Sequence, residues 1–143
     1  MELPGAIEAA SAIAKRYDTT NRVSYADGNA LNDDLGSEKY DVVMINNVVH
    51  HFTNEQNSTL AKKIARALKP GGIYVIGELI RAKKPGEGGV IGATSGLYFS
   101  LTSSSGTWSV TEMEGWQKNA GLKNEKPITT IVLPGFQMVV GRK

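Results

Sequence analysis

Cysteine is absent from the 143 residues. That excludes a disulfide framework, thiolate metal sites, iron–sulfur clusters and a cysteine nucleophile. Long apolar runs are absent as well; the longest hold only a few residues, against the roughly 20 that a membrane-crossing helix needs. No basic segment followed by an apolar run opens the chain, so no signal peptide is expected. An excess of one charge is also missing. Sixteen Lys and Arg against fourteen Asp and Glu leave a net charge of +2, too small to argue for a nucleic-acid or anionic-membrane partner. The expectation is a soluble, cytoplasmic protein. Hydrophobic residues at 41% and charged residues at 21% are ordinary for a globular chain and wrong for a disordered one. The length suits one domain, 1–143, with a core that needs no covalent or metal support.

The pattern along the chain alternates helices and strands. A helix is predicted from Pro4 to Tyr17, with Pro4 in the first turn and Ile7, Ala10, Ala14 and Tyr17 forming a stripe. Val23-Ser24-Tyr25 reads as a short strand ending in a loop, and 27–39 as loop. Tyr40 to Asn46 holds four consecutive apolar residues, the mark of a strand buried on both faces in a parallel sheet. Thr53-Asn54-Glu55-Gln56 is a capping-box pattern opening a helix whose apolar face is Leu60, Ala61, Ile64, Ala65 and Leu68. That helix is predicted to stop at Pro70-Gly71-Gly72, before a second doubly buried strand, Ile73 to Ile76. Strand, helix, strand in this space is a βαβ unit with adjacent parallel strands. Beyond it, 81–89 reads as a loop in which Arg81, Lys83 and Lys84 are solvated. Val90 to Leu101 reads as a weak helix. Ser109-Val110-Thr111-Glu112 opens a capped helix ending at Ala120-Gly121, and two strands follow, Leu122 to Lys126 and Thr130 to Gly141. No repeat or low-complexity segment occurs.

Polar residues at the carboxyl end of a buried parallel strand stand where open α/β sheets bind ligands. Two such ends occur, Asn46 to His51 and Gly77-Glu78, and adjacent parallel strands would bring His50 and Glu78 to one cleft.

The block DVVMINNVVHHF, the capped helix, LKPGG and IYVIGE together resemble class I S-adenosylmethionine-dependent methyltransferases. They are most similar to the small-molecule O-methyltransferases of bacterial polyketide tailoring and plant phenolic metabolism. Glu2-Leu3-Pro4 resembles the acidic-Leu-Pro that ends the second strand in that group, and WQKNAGL (116–122) the end of its last helix. The resemblance implies a doubly wound, mostly parallel α/β sheet with strand order 3-2-1-4-5-7-6. It implies S-adenosylmethionine as cofactor, a small aromatic hydroxyl compound as acceptor, and no metal. Glu2 would accept from the ribose hydroxyls. Asp27, in Ala26-Asp27-Gly28-Asn29, would accept the adenine amino group, with Gly28 in the same turn and Asn29 the competing candidate. Asn46 would lie near the methionine end. His50 would be the general base and Glu78 the carboxylate that orients it; a base near neutrality suits deprotonation of a phenol or alcohol as it attacks the methyl carbon. Phe99 and Ser103 fall where such enzymes line the acceptor pocket.

Other readings of these residues stay open. His50 and His51 can be hydrogen-bonded strand-end residues, Glu78 a loop acid or a partner for Arg81. Asp27 can serve the turn at Gly28, Phe99 the core and Ser103 a solvated loop. Glu112 is explained by its capping box.

The resemblance also implies a first strand and a G-x-G-x-G turn ahead of Glu2, and only Met1 stands there. The glycines at 86, 88 and 89 lie far downstream and do not replace it. The expectation is a partial domain without the first strand, the glycine-rich loop or the family's amino-terminal dimerisation domain. It would leave an exposed sheet edge, covered in a homodimer or by a partner chain. A non-catalytic binding or interaction module of the same fold is the alternative. A nicotinamide-dependent oxidoreductase fits less well, because its own glycine fingerprint is equally missing.

Overall fold

A computed structural model describes residues 1–17, 20, 22–82, 84, 89–103 and 105–143. Lys83, Gly86 and Gly88 of the expected basic loop lie outside the described residues. The chain forms two compact units, 1–35 and 36–143.

In the first unit α1 spans Pro4–Tyr17, with Lys15 and Arg16 in the last turn, where cations suit the helix dipole. Ile7, Ala10, Ser11 and Ala14 are half-buried along one stripe, whereas Tyr17 is exposed. The strand expected at Val23–Tyr25 does not form a ladder. Among the described residues of this unit, pairing is confined to an isolated parallel bridge between Glu2 and Asp27. The Glu2 N–H donates to the Ala26 carbonyl at 3.0 Å, and the Gly28 N–H to the Glu2 carbonyl at 3.0 Å. A strand exists only where a neighbour takes its backbone groups, and here two residues supply that neighbour.

The second unit holds β1 (Tyr40–Asn46), α2 (Asn54–Ala67), β2 (Leu68–Leu79), α3 (Gly89–Thr102), α4 (Val110–Asn119), β3 (Lys123–Asn124), β4 (Ile128–Thr129) and β5 (Phe136–Arg142). The expected α/β class holds. The sheet runs β1-β2-β5-β3, with β4 also on β5. β1 and β2 are parallel, and β5 is antiparallel to β2, β3 and β4. This order matches the 4-5-7-6 portion of the order expected from the resemblance.

β2 is the buried strand of the expected pair. Tyr74, Val75, Ile76, Gly77 and Glu78 are all buried between β1 and β5. β1 departs from its expected burial. Val42 is 56% and Met44 50% exposed; two apart along the strand, they share one face, and that face is uncovered while Val43 and Ile45 on the other are half-buried.

Both capping boxes form. Thr53 accepts from Gln56 N–H at 3.2 Å while the Gln56 side chain accepts from Thr53 N–H at 2.8 Å. Ser109 and Glu112 do the same for α4. α2 ends at Ala67, not at Pro70, because Leu68 already has extended backbone. The face Leu60, Ala61, Ile64, Ala65 is buried as the helical period requires. α4 packs on α2 and on β5. Its Gln117, fully buried, donates to the carbonyls of Tyr74 and Val139, both at 3.2 Å, and so ties the helix to two strands. The expected strand over Thr130 to Gly141 narrows to Phe136–Arg142; Ile131 and Val132 are almost fully exposed in the β4–β5 connection.

Candidate active site

The carboxyl ends of β1 and β2 lie side by side, with Asn46 opposite Gly77 in register. After β1 the chain turns through Asn47, at φ 51°, whose N–H donates to the Gly77 carbonyl at 2.9 Å. It then forms a one-turn 3-10 helix, Val49–His51. That turn delivers His50 to the interior, where it is 2% exposed.

Glu78, on β2, is 0% exposed. One of its oxygens lies 3.0 Å from His50 Nδ1, and the other accepts the Leu79 N–H at 3.1 Å. When Glu78 is ionised both oxygens accept, and the proton between the pair then sits on Nδ1. The second ring nitrogen, Nε2, is then the lone-pair side. Among the described residues no hydrogen bond reaches it. Phe99 of α3 lies against the imidazole at 3.8 Å between centroids and 32° between planes. His51, exposed, sits 4.2 Å from it on centroids.

Arg81 is exposed, as expected, but it is not paired with Glu78. It forms an ion pair with Glu112, and its guanidinium lies 5.8 Å above the Trp108 ring. Burial alone would raise the Glu112 carboxyl. Hydrogen bonds from the Ser109 hydroxyl and backbone, together with the hydrogen bond and charge of Arg81, outweigh that and hold it below its ordinary value.

The other sequence-predicted residues fall as follows. Asn46 is exposed, and its amide lies over Gly77: a Cβ there would stand 2.1 Å from Asn46 Oδ1. Ser103 is spent on the end of α3, donating to the Phe99 carbonyl at 2.6 Å and accepting the Gly106 N–H at 3.2 Å. In the first unit, Glu2 and Asp27 are exposed and opposite each other in the parallel bridge. No hydrogen bond within the described residues occupies either carboxylate. Asn29 instead turns its side-chain oxygen to the Leu31 N–H at 2.9 Å, and Gly28 packs against Asp33 and Met1. A hollow of about 540 Å³ in this unit, lined by Ile13, Tyr17, Val23 and Tyr25 among others, contains none of the expected residues.

Two contributors to the His50 turn escape sequence reasoning. Asn57 Nδ2 and Trp108 Nε1 both donate to the Val49 carbonyl at 3.0 Å. Asn57 carried one signal, a polar residue on the apolar stripe of α2 three positions before Leu60.

Residues 4–76 match the profile of a family described as methyltransferase domain. The chain belongs to that family. It is 28% identical over 131 residues to the tetracenomycin polyketide synthesis 8-O-methyltransferase TcmO of Streptomyces glaucescens, covering 90% of this chain and 37% of that protein. Among solved structures it resembles an O-methyltransferase family 2 protein from Planctomyces limnophilus in complex with apigenin. There the TM-score is 0.82 at 24% identity, over 99% of this chain and 41% of that one. It also resembles human N-acetylserotonin methyltransferase in complex with S-adenosylmethionine, with TM-score 0.80 at 17% identity, over 99% and 39%. These structural likenesses establish the fold. The chain spans about two fifths of the length of the relatives it matches.

Proposed function

We propose that this chain serves methyl transfer from S-adenosylmethionine to a hydroxyl of a small aromatic molecule, with His50 as general base and Glu78 as the carboxylate that orients it. One observation carries the reading: a buried histidine at the end of a parallel strand pair, with Nδ1 on a carboxylate and Nε2 unengaged. The family and the names of the relatives support methyl transfer to oxygen and the cofactor.

The residues present suit that cofactor. Glu2 and Asp27 are exposed carboxylates without protein partners, acceptors of the kind that ribose hydroxyls and an adenine amino group need. Asp27 is preferred over Asn29, whose side-chain oxygen already accepts the Leu31 N–H and carries no charge. Asn46 offers an exposed amide at the end of β1. When bound, the cofactor supplies a methyl group on a sulfonium.

The remaining work belongs to the chain. His50 Nε2 takes the acceptor's hydroxyl proton as the oxygen attacks, and Glu78 stabilises the resulting imidazolium through Nδ1. Phe99 presents an apolar face beside the imidazole, suited to a flat acceptor. Positioning supplies much of the remaining acceleration. Both units act as parts of one methyltransferase domain, and the free edge of β1 takes a further strand, from the same protein or a second copy. Sedimentation tests the second-copy case, which a purely monomeric chain would exclude.

Calorimetry with S-adenosylmethionine and with S-adenosylhomocysteine tests the function. Binding of both is expected, and His50→Ala should then abolish turnover while leaving affinity intact. Absence of binding by either would reduce the chain to a module of the fold without the reaction.

A further inference from the structure

The Val49 carbonyl is unusually well served. It accepts the Phe52 N–H at 3.2 Å, Asn57 Nδ2 at 3.0 Å and Trp108 Nε1 at 3.0 Å. A carbonyl oxygen offers two lone pairs, so satisfying it does not require three donors. The location explains the redundancy. This carbonyl belongs to the peptide unit whose nitrogen is that of His50. Rotating that plane would swing the His50 Cα–Cβ bond and draw Nδ1 away from Glu78.

A single 3-10 turn has poor hydrogen-bond geometry and holds such a plane weakly. Here the plane is fixed from outside the turn, by α2 through Asn57 and by the segment before α4 through Trp108. Trp108 is 8% exposed and is itself braced. Its ring meets that of Trp116 edge-on at 5.1 Å. The Arg81 N–H donates to its carbonyl at 2.9 Å, and Arg81 Nη1 donates to the Thr107 carbonyl at 3.1 Å.

We propose that Trp108 is a positioning residue for His50. Its indole N–H, together with the Asn57 amide, locks the Val49–His50 peptide plane, so that Nδ1 stays on Glu78 and Nε2 stays open. The kinetic consequence rests on His50 being the base; the geometric one does not.

Trp108→Phe keeps a ring against Trp116 and Arg81 and removes the N–H. In the histidine-labelled chain, the His50 Nδ1 proton should exchange with water about tenfold faster than in the parent, as losing about 1.4 kcal/mol of restraint implies. Turnover should fall by a similar factor with cofactor affinity unchanged. A core variant of comparable stability, Ile64→Val, should leave the Nδ1 proton as in the parent. If Trp108→Phe does not fold, Asn57→Ala removes the other external donor and should give the same acceleration. A folded variant with parental Nδ1 exchange overturns the positioning role whatever its turnover. Faster exchange in Trp108→Phe with full activity in His50→Ala would instead sink the base and leave the positioning role standing.

Discussion

Glu78→Gln separates a positioning carboxylate from a mere space-filler. Glu78 serves two donors with two oxygens, His50 Nδ1 at 3.0 Å and the Leu79 N–H at 3.1 Å. A glutamine has the same shape and only one oxygen. Leaving either donor unpaired inside a site that is 0–2% exposed would cost about 1–3 kcal/mol. The backbone N–H of Leu79 cannot change its nature, but an imidazole can move its proton. The lowest-cost arrangement gives the amide oxygen to Leu79 and turns the amide NH₂ toward Nδ1, which must then accept. His50 becomes the opposite tautomer, with its proton on Nε2 where the base needs a lone pair. The fold should survive with little loss of stability. Turnover should drop by roughly ten thousandfold, the scale seen when a serine-protease triad carboxylate becomes an amide. Imidazole nitrogen chemical shifts read the tautomer directly, and formation of S-adenosylhomocysteine reads the rate. A folded Glu78→Gln protein that keeps its proton on Nδ1 would refute the reasoning.

Leu60→Ala, at a position 1% exposed on the buried face of α2, should destabilise the chain by about 2–5 kcal/mol in urea titration. Gly77→Ala places a Cβ 2.1 Å from Asn46 Oδ1 and 2.9 Å from Phe136 Cζ. The exposed amide can turn aside and the packed ring cannot, so a loss of about 1–3 kcal/mol is expected, with weaker S-adenosylhomocysteine binding on calorimetry. Because the folded state holds the Glu112 carboxyl below its ordinary 4.5, its stabilising contribution is complete above that pH and is lost as pH falls through the folded value. Urea midpoints of Glu112→Gln should therefore approach those of the parent on acidification, and a constant gap from pH 7 to pH 3 would contradict the ion pair's role.

How much was legible depends on where the physics is local. Thr53–Gln56 and Ser109–Glu112 are four-residue signals, and both helices begin where those residues say. The apolar stripe of α2 and the doubly buried β2 follow from periodicity and run length. β1 looked just as buried in sequence, yet Val42 and Met44 are exposed, because burial of a strand depends on its neighbours and not on its own residues. The hydrogen bond between His50 and Glu78 joins two strand ends that their order alone suggested. The committed hydroxyl of Ser103 and the pairing of Arg81 with Glu112 were not legible, since both depend on where a loop returns. Trp108 was invisible as a support for Val49, being 59 residues away in sequence.

The strand order has a consequence for biosynthesis. β5 is paired with β2, β3 and β4, and it follows all three in chain order. Until Phe136–Arg142 clears the ribosome, β2 holds one partner, β1, and its second edge stays open with Tyr74, Val75 and Ile76 uncovered. Helices α2 and α4 can form early, but the surface they dock on is completed late. Nascent chains paused before β5 would expose an apolar strand edge, the kind of surface that chaperones bind and that seeds aggregation. Yield of the folded protein should therefore respond to translation speed and chaperone supply more than the stability of the finished core would suggest.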